Sequence, residues 1–303
     1  MSKQIQETMD KLVIQAAVIS HIGCVRTNNE DNFYFDGDMM APDEVNTGTM
    51  FRVVVERDYH VLGICDGMGG LESGEKAAYT GVSRMKMLDY ASSVQEIALK
   101  IDEYAIQASE EIRNDAKKRG EGIKEGTTMV LVYMTGGTMH VANVGDSRVY
   151  VLRNMNLVQV SMDQSALFQR MLAGQLTREQ LRKHPESNKI EHYLGMPEDR
   201  IGKDFVFHRN VSLCSGDRLF ICSDGISDLL SHEAMEKALC NNASPMDAAK
   251  QLVEMALELG GKDNATLIVA DVTGTHLPMV TPASVAALNL IHENTATINT
   301  TQS

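Results

Sequence analysis

Residues 61–70 read Val-Leu-Gly-Ile-Cys-Asp-Gly-Met-Gly-Gly, an apolar run that ends abruptly in Asp66-Gly67. The pattern recurs at 219–225, Leu-Phe-Ile-Cys-Ser-Asp-Gly, which ends in Asp224-Gly225. Asp263-Asn264 stands just before Thr266-Leu267-Ile268-Val269, and Glu30-Asp31 just before Phe33-Tyr34-Phe35. Short apolar runs bounded by Gly or Asn are strand signals. A carboxylate at the mouth of such a strand costs desolvation energy unless something cationic compensates it. Several acids placed alike suggest one shared compensator, and a pair of divalent metal ions is the simplest.

Working outward, residues 13–35 read as strand, turn, strand, and Phe51 to Val55 and His60 to Cys65 as two further strands. A helix is expected from Ser73 to Leu88. Ser93 and Glu96 form a capping box for the next, whose apolar positions Ile97, Ile101, Tyr104, Ala108 and Ile112 keep the helical period. Thr127 to Met134, Met139 to Val144 and Val149 to Leu152 read as a meander of hairpins turning at Gly136-Gly137 and Gly145-Asp146-Ser147. Residues 165–195 are mostly polar, with a short helix capped by Thr177 and Gln180. Strands are expected at Phe205 to His208, Leu219 to Cys222 and Thr266 to Val272. Ser231 and Ser244-Pro245 start two late helices, the second ending before Gly260. Such a series predicts an α+β chain with largely antiparallel sheets. In antiparallel neighbours the end of one strand lies beside the start of the next. Asp66 and Asp224, which close strands, can therefore share one edge with Glu30, Asp31 and Asp263, which precede strands.

The 303 residues carry a net charge of −13 and are 43% hydrophobic, enough for a sizeable core. The acidic balance, with no basic run, argues against a nucleic-acid surface. The five cysteines form no C-x-x-C pair, which points to a reducing compartment, and the polar start and the lack of a long apolar run point to a cytoplasmic protein with no membrane contact. The division expected is an N-terminal extension over 1–12, one domain over 13–272, and a polar, flexible tail over 273–303 with a helical turn or two near Ser284 to Ile291.

Hard oxygen ligands without His or Cys select Mg²⁺ or Mn²⁺ over Zn²⁺. Two such ions could bridge a water, lower its pKa and present it to phosphorus. Gly67 lets the backbone approach a metal and expose its carbonyl. Arg26, four residues before Glu30, offers a bidentate fork for a phosphate monoester. Blander readings exist for single residues: Asp146 as a turn residue, Asp228 as a first-turn acid, Arg26 as a surface ion pair.

The ordered segments Arg26-Thr-Asn-Asn-Glu30-Asp31-Asn32, Asp66-Gly67-Met68-Gly69-Gly70 with Gly74-Glu75, Gly126-Thr127-Thr128, Asn143-Val144-Gly145-Asp146-Ser147-Arg148, Ser223-Asp224-Gly225 with Asp228, and Asp263-Asn264-Ala265-Thr266 resemble the metal-dependent protein phosphatases of the protein phosphatase 2C family, in the bacterial form. Gly174, Thr177, His184-Pro185 and Asn188 fit that family's mobile flap. The resemblance implies a four-layer α-β-β-α sandwich of two antiparallel sheets flanked by helices. It implies a serine/threonine phosphoprotein phosphatase that uses metal-activated water and no phosphoenzyme, acting on substrates of a partner kinase. By position, Asp66 bridges two Mn²⁺ or Mg²⁺ ions. Asp224 and Asp263 hold one ion. Glu30 and the Gly67 carbonyl hold the other, with Asp31 reaching it through water. Asp146 and Asp228 match a third, weaker ion site, and Arg26 clamps the phosphate. Three positions depart from the pattern: Met68 and Leu71 stand where family members carry His, and Asp163-Gln164-Ser165 replaces Asp-His-Ser. A metal-bound water is therefore expected to protonate the leaving group, with His184 a packing residue of the flap. The alternative is a non-catalytic member that binds phosphoprotein or a kinase.

Overall fold

The computed structural model describes residues 11–41, 49–69, 73–88, 94–120, 125–274 and 276–289. Leu71, Gly70, Ser93 with its capping box, most of the 1–12 extension and the last residues of the tail lie outside them.

The strands form two antiparallel six-stranded sheets. The first contains β1 (Leu12–His21), β3 (Thr49–Arg57), β8 (Arg148–Arg153), β9 (Asn156–Gln159), β11 (Arg218–Cys222) and β12 (Ala265–Gly274), in the order β3-β1-β12-β11-β8-β9. The second runs β10-β7-β6-β4-β2, with β2 (Asp31–Phe35), β4 (Tyr59–Met68), β6 (Met129–Thr135), β7 (Thr138–Val144) and β10 (Phe207–Ser212); short β5 (Gly126–Thr127) pairs with the end of β4.

Strand periodicity builds the layers. Ile14, Ala16 and Val18 of β1, Leu62 and Ile64 of β4, and Leu219 and Ile221 of β11 face inward and make the core between the sheets. Their alternates Ala17, Ile19, Phe220, Cys222, Leu267 and Val269 face outward beneath α6 (His232–Asn241) and α7 (Pro245–Glu258). On the other outer face Cys65, Leu131 and Tyr133 pack under α1 (Gly74–Arg84) and α2 (Val94–Arg119). Each Leu or Ile so buried contributes about 1.5–3 kcal/mol. The result is the expected four-layer α-β-β-α sandwich. Because both faces of this sheet are covered, β6 is buried without alternation from Met129 through Met134.

Local signals behave as the sequence indicates. Ser231 Oγ accepts from Ala234 N–H, and Ser244 Oγ from Met246 and Asp247 N–H. Thr177 and Gln180 complete a capping box on α4 (Arg178–Arg182), which follows α3 (Ala166–Leu172).

The expected meander needs correction. β8 does not pair with β7; it pairs with β11 and β9 in the facing sheet. Gly145, at φ +101, turns the chain across the sandwich, so Gly145-Asp146-Ser147 is a crossover between sheets and not a hairpin. β9 and the single turn α5 (Asp224–Ser227) carry too few residues to show a period and were not anticipated. β10 begins two residues later than expected from Phe205 and runs on to Ser212.

Packing extends past residue 272. In α8 (Pro282–Asn289) Leu288 enters the inter-sheet core. Arg153 donates to Ser284 O at 2.8 Å and Arg209 to Leu288 O at 2.8 Å.

Candidate active site

Antiparallel register gathers the acids. Asp31, at the start of β2, lies opposite Asp66 near the end of β4. Cys222 pairs with Leu267, so Ser223-Asp224 and Asp263-Asn264 flank the same end of the first sheet. The two sheets are tied there by Ser223 Oγ, which donates to Asp31 Oδ2 at 2.7 Å and accepts from Thr266 N–H at 3.1 Å.

Close backbone approaches fix the loops. A Cβ on Gly67 would lie 2.1 Å from Gly74 O and 2.6 Å from Glu30 O. A Cβ on Gly225 would lie 1.9 Å from Asn264 O, so only glycine lets the turn after Asp224 settle against the loop that carries Asp263. Asn264 spans three segments: its Oδ1 accepts from Glu30 N–H at 2.8 Å, and its Nδ2 donates to Ile22 O at 3.0 Å and Asn28 O at 2.8 Å. Asp66 is gripped through its backbone, its N–H donating to Thr128 Oγ1 at 3.1 Å and its carbonyl accepting from Thr128 N–H at 2.8 Å. That leaves its carboxylate free to face the other acids.

Burial and mutual repulsion dominate the electrostatics. Burial, then Asp31, Asp224, Asp146 and Asp263, holds Asp66 well above the usual carboxylate range. Burial and Asp146, Asp228 and Asp263 do the same to Asp224. Burial pushes Asp31 up to about 6. Burial and then Glu75 push Glu30 to about 7, and burial and then Asp163 and Asp228 push Asp146 to about 7. Asp228, at the end of α5, is raised chiefly by burial. Asp31 Oδ1 is buried with no hydrogen-bond partner. Arg26, half-exposed, donates to Asp263 Oδ2 at 2.7 Å.

Glu30, Asp31, Asp66, Asp146, Asp224, Asp228 and Asp263 thus meet at one edge, with Gly67 N–H donating to Glu30 O at 3.1 Å. Hard oxygen donors, an orphaned carboxylate oxygen and uncompensated repulsion fit a divalent cation. In this conformation no group of three or more His, Cys, Asp or Glu among the described residues is arranged to hold an ion. Some of these carboxylates are already engaged: Asp31 by Ser223, and Asp263 by Arg26 and by Asn264 N–H.

Four residues that the sequence shows only as members of motifs brace the site, and their partners were not anticipated. Asp163 holds Arg148 through both carboxylate oxygens, at 2.6–3.1 Å. Gln164 Oε1 accepts from Gly145 N–H at 2.8 Å and its Nε2 donates to Phe205 O at 3.0 Å, so it clamps the crossover that carries Asp146. Asn143 brackets Met162, accepting from its N–H at 3.1 Å and donating to its carbonyl at 2.8 Å. Long sequence separations left no local signal for these pairings. His184 Nδ1 accepts from Glu186 N–H at 3.1 Å, a contact within its own turn.

The fold is an α-β-β-α sandwich with a cluster of buried carboxylates at one edge. The chain belongs to the protein phosphatase 2C family, whose model matches residues 49–258. It is 30% identical over 276 residues to the serine/threonine protein phosphatase PstP of Mycobacterium tuberculosis, an alignment that covers 86% of this chain and 45% of that protein. The chain thus spans about half the length of that relative. It is 28% identical over 213 residues to the serine/threonine phosphatase stp of Listeria monocytogenes, covering 69% of this chain and 82% of the other. The crystal structure of the catalytic domain of PstP in complex with two manganese ions superposes with a TM-score of 0.69 at 28% identity, over 86% of this chain and 99% of the other.

Proposed function

We propose that the chain is a metal-dependent serine/threonine phosphoprotein phosphatase. The observation that carries this reading is the edge where Asp31, Asp66, Asp146 and Asp224 are held with their carboxyls raised by burial and by neighbouring acids. Such an arrangement opposes folding unless cations offset it. The family and the manganese-bound relative support Mn²⁺ or Mg²⁺ as those cations.

Asp66 would lie between two ions, Asp224 and Asp263 would hold one, and Glu30 and the Gly67 carbonyl the other, with Asp31 acting through water. Asp146 and Asp228 would hold a third, weaker ion. Bound ions supply Lewis-acid charge and an acidified water. Arg26 turns from Asp263 toward the substrate phosphate, for which its planar fork is suited. Thr128 and Ser223 fix the acids' backbones and Asp31's orientation. Met68 and Gln164 offer no imidazole for the leaving group, and His184 is engaged in its own turn, so leaving-group protonation falls to water. The substrates are phosphoserine and phosphothreonine proteins made by a partner kinase, in the cytoplasm, with neither nucleic acid nor membrane involved. No helix among the described residues is long and apolar enough to cross a membrane.

The test is phosphate release from a phosphothreonine peptide with Mn²⁺, with chelator, and by Asp66→Ala. Metal-dependent release lost in the variant supports the reading. Absence of release by a folded, metal-loaded chain overturns it in favour of a binding role.

A further inference from the structure

A cavity of about 90 Å³ lies between the α3–α4 segment and the start of α6, beside Asp228. Three of its lining residues carry a buried polar atom with no hydrogen-bond partner: Tyr150 Oη, Ser227 Oγ and His232 Nδ1. Tyr150 is 0% exposed and Ser227 3%. A buried polar group left without a partner is destabilising. Three around one cavity indicate that something polar fills it.

Their hydrogen-bonding roles are set by the surroundings. His232 Nε2 lies 2.9 Å from Leu157 O, and a carbonyl only accepts, so Nε2 carries the proton. Burial lowers the His232 pKa, keeping the ring neutral and leaving Nδ1 an acceptor. Burial pushes Tyr150 up to about 12, so its hydroxyl is a donor.

The lining charges are mostly committed. Arg148 is bidentate on Asp163, and Arg182 bonds Glu179 and the carbonyls of Asp228 and Leu229. Glu179 is further engaged by Lys183, Asp228 lies between Arg148 and Arg182, and Glu233 stands at the rim beside Ser231. Among the described residues Arg178 donates to the neutral Gln159 Oε1, at 2.9 Å, leaving N–H groups available to an anion.

We infer that this cavity binds a singly protonated oxyanion, free hydrogen phosphate, with Tyr150 Oη, Ser227 Oγ and Arg178 donating to its oxygens and His232 Nδ1 accepting from its P–OH. A neutral amide would leave Arg178 unused. Sulfate, which has no proton to donate at neutral pH, would leave His232 Nδ1 unmet, so the site discriminates phosphate from sulfate. Bound phosphate would fasten α4 against α5 and α6. If the chain is a phosphatase, this anion is also its product, yet binding here does not require turnover.

The test is calorimetric titration of the full chain, in chelator at neutral pH, with inorganic phosphate, with sulfate at matched ionic strength, and with O-phosphoserine. Saturable phosphate binding is expected, with sulfate weaker by roughly tenfold, the worth of one unmet buried acceptor. Tyr150→Phe and Arg178→Gln should each weaken phosphate by a similar factor, while Arg26→Gln leaves it unchanged. Tyr150→Phe removes one oxygen and Arg178 is half-exposed, so one or both variants will fold. The inference is overturned by no saturable phosphate binding, which means the cavity holds water only, by equal sulfate binding, by tighter O-phosphoserine binding, or by loss in Arg26→Gln alone. None of these outcomes depends on phosphatase activity.

Discussion

Asp31 stands directly opposite Asp66 across the β2–β4 pair, and its Oδ2 accepts the hydroxyl hydrogen of Ser223 from the facing sheet at 2.7 Å. Like charges placed opposite in a ladder destabilise it, so this pairing stores repulsion that a cation can release. It has a pH signature. Asp31 near 6, and Glu30 and Asp146 near 7, sit above the ordinary carboxylate values near 4. Between about pH 4 and 7 the folded chain therefore holds more protons than the unfolded one, and stability falls as pH rises. Thermal melts in chelator should give a lower Tm at pH 8 than at pH 5, and Mn²⁺ should restore Tm at pH 8. A chelated Tm that rises from pH 5 to 8 counts against the stored repulsion.

Asp66→Ala should separate stability from activity. Asp66 faces the acids, while its backbone bonds to Thr128 do not involve its carboxylate. Turnover should drop by at least about 10²–10³-fold, the scale for losing one preorganised charge-stabilising group. The chelated variant should melt higher than the parent, and Mn²⁺ should raise its Tm less. Retained turnover in the purified variant would remove Asp66 from the metal site.

How much of this was legible in the sequence depends on the range of the interaction. Caps at Ser231, Ser244 and Thr177 are decided within three residues and read correctly. The acids at strand mouths were visible because a carboxylate against an apolar run is anomalous by itself. The path of β8 was not, because Gly145-Asp146-Ser147 carries the composition of a hairpin turn, and only the partner strands, β11 and β9, distinguish a crossover. Asn264 looked like a companion of Asp263; its role as a three-way tie depends on residues 22, 28 and 30, more than 230 positions away.

Gly225→Ala tests the packing that brings Asp224 to Asp263. The added methyl would meet Asn264 O at 1.9 Å, and neither backbone segment can yield without moving an acid. Overpacking of this kind costs about 1–3 kcal/mol. Denaturant unfolding should show that loss, and metal affinity should fall with it. An unperturbed midpoint would mean the two loops move independently.

Arg153 and Asp217 make a bidentate pair at 2.6–2.7 Å, with side chains 2% and 0% exposed. Arg153 also reaches Ser284 O and Ser212 O, so it joins α8 to both sheets. Arg153→Ala strands a buried carboxylate and should cost about 3–5 kcal/mol. Proteolysis should then cut the C-terminal segment before the rest of the domain. Arg153→Ala, Asp217→Ala together should cost less than the single change, since no charge is left alone.

Gln164 occupies the place where the family pattern has His, and its contacts suggest what its amide does instead. Oε1 holds Gly145 N–H at 2.8 Å, and Nε2 reaches Phe205 O at 3.0 Å and Asp204 O at 3.3 Å. Its own N–H donates to Gly145 O at 3.0 Å. One amide thus satisfies the crossover and the 204–205 segment ahead of β10 at once, with an acceptor and a donor that a neutral imidazole could supply only in one tautomer and a different geometry. Asp146 follows Gly145 directly, so freeing the crossover should loosen the weaker ion site proposed for Asp146 while Asp66, Asp224 and Asp263 stay in place. In Gln164→Ala the Mn²⁺ needed for half-maximal turnover should rise about 10–100-fold, the usual cost of losing a group that orients a ligand. Two tight ions should still be counted by calorimetry. If Mn²⁺ dependence is unchanged and only the rate at saturating metal falls, Gln164 acts on the substrate side of the flap and not through Asp146.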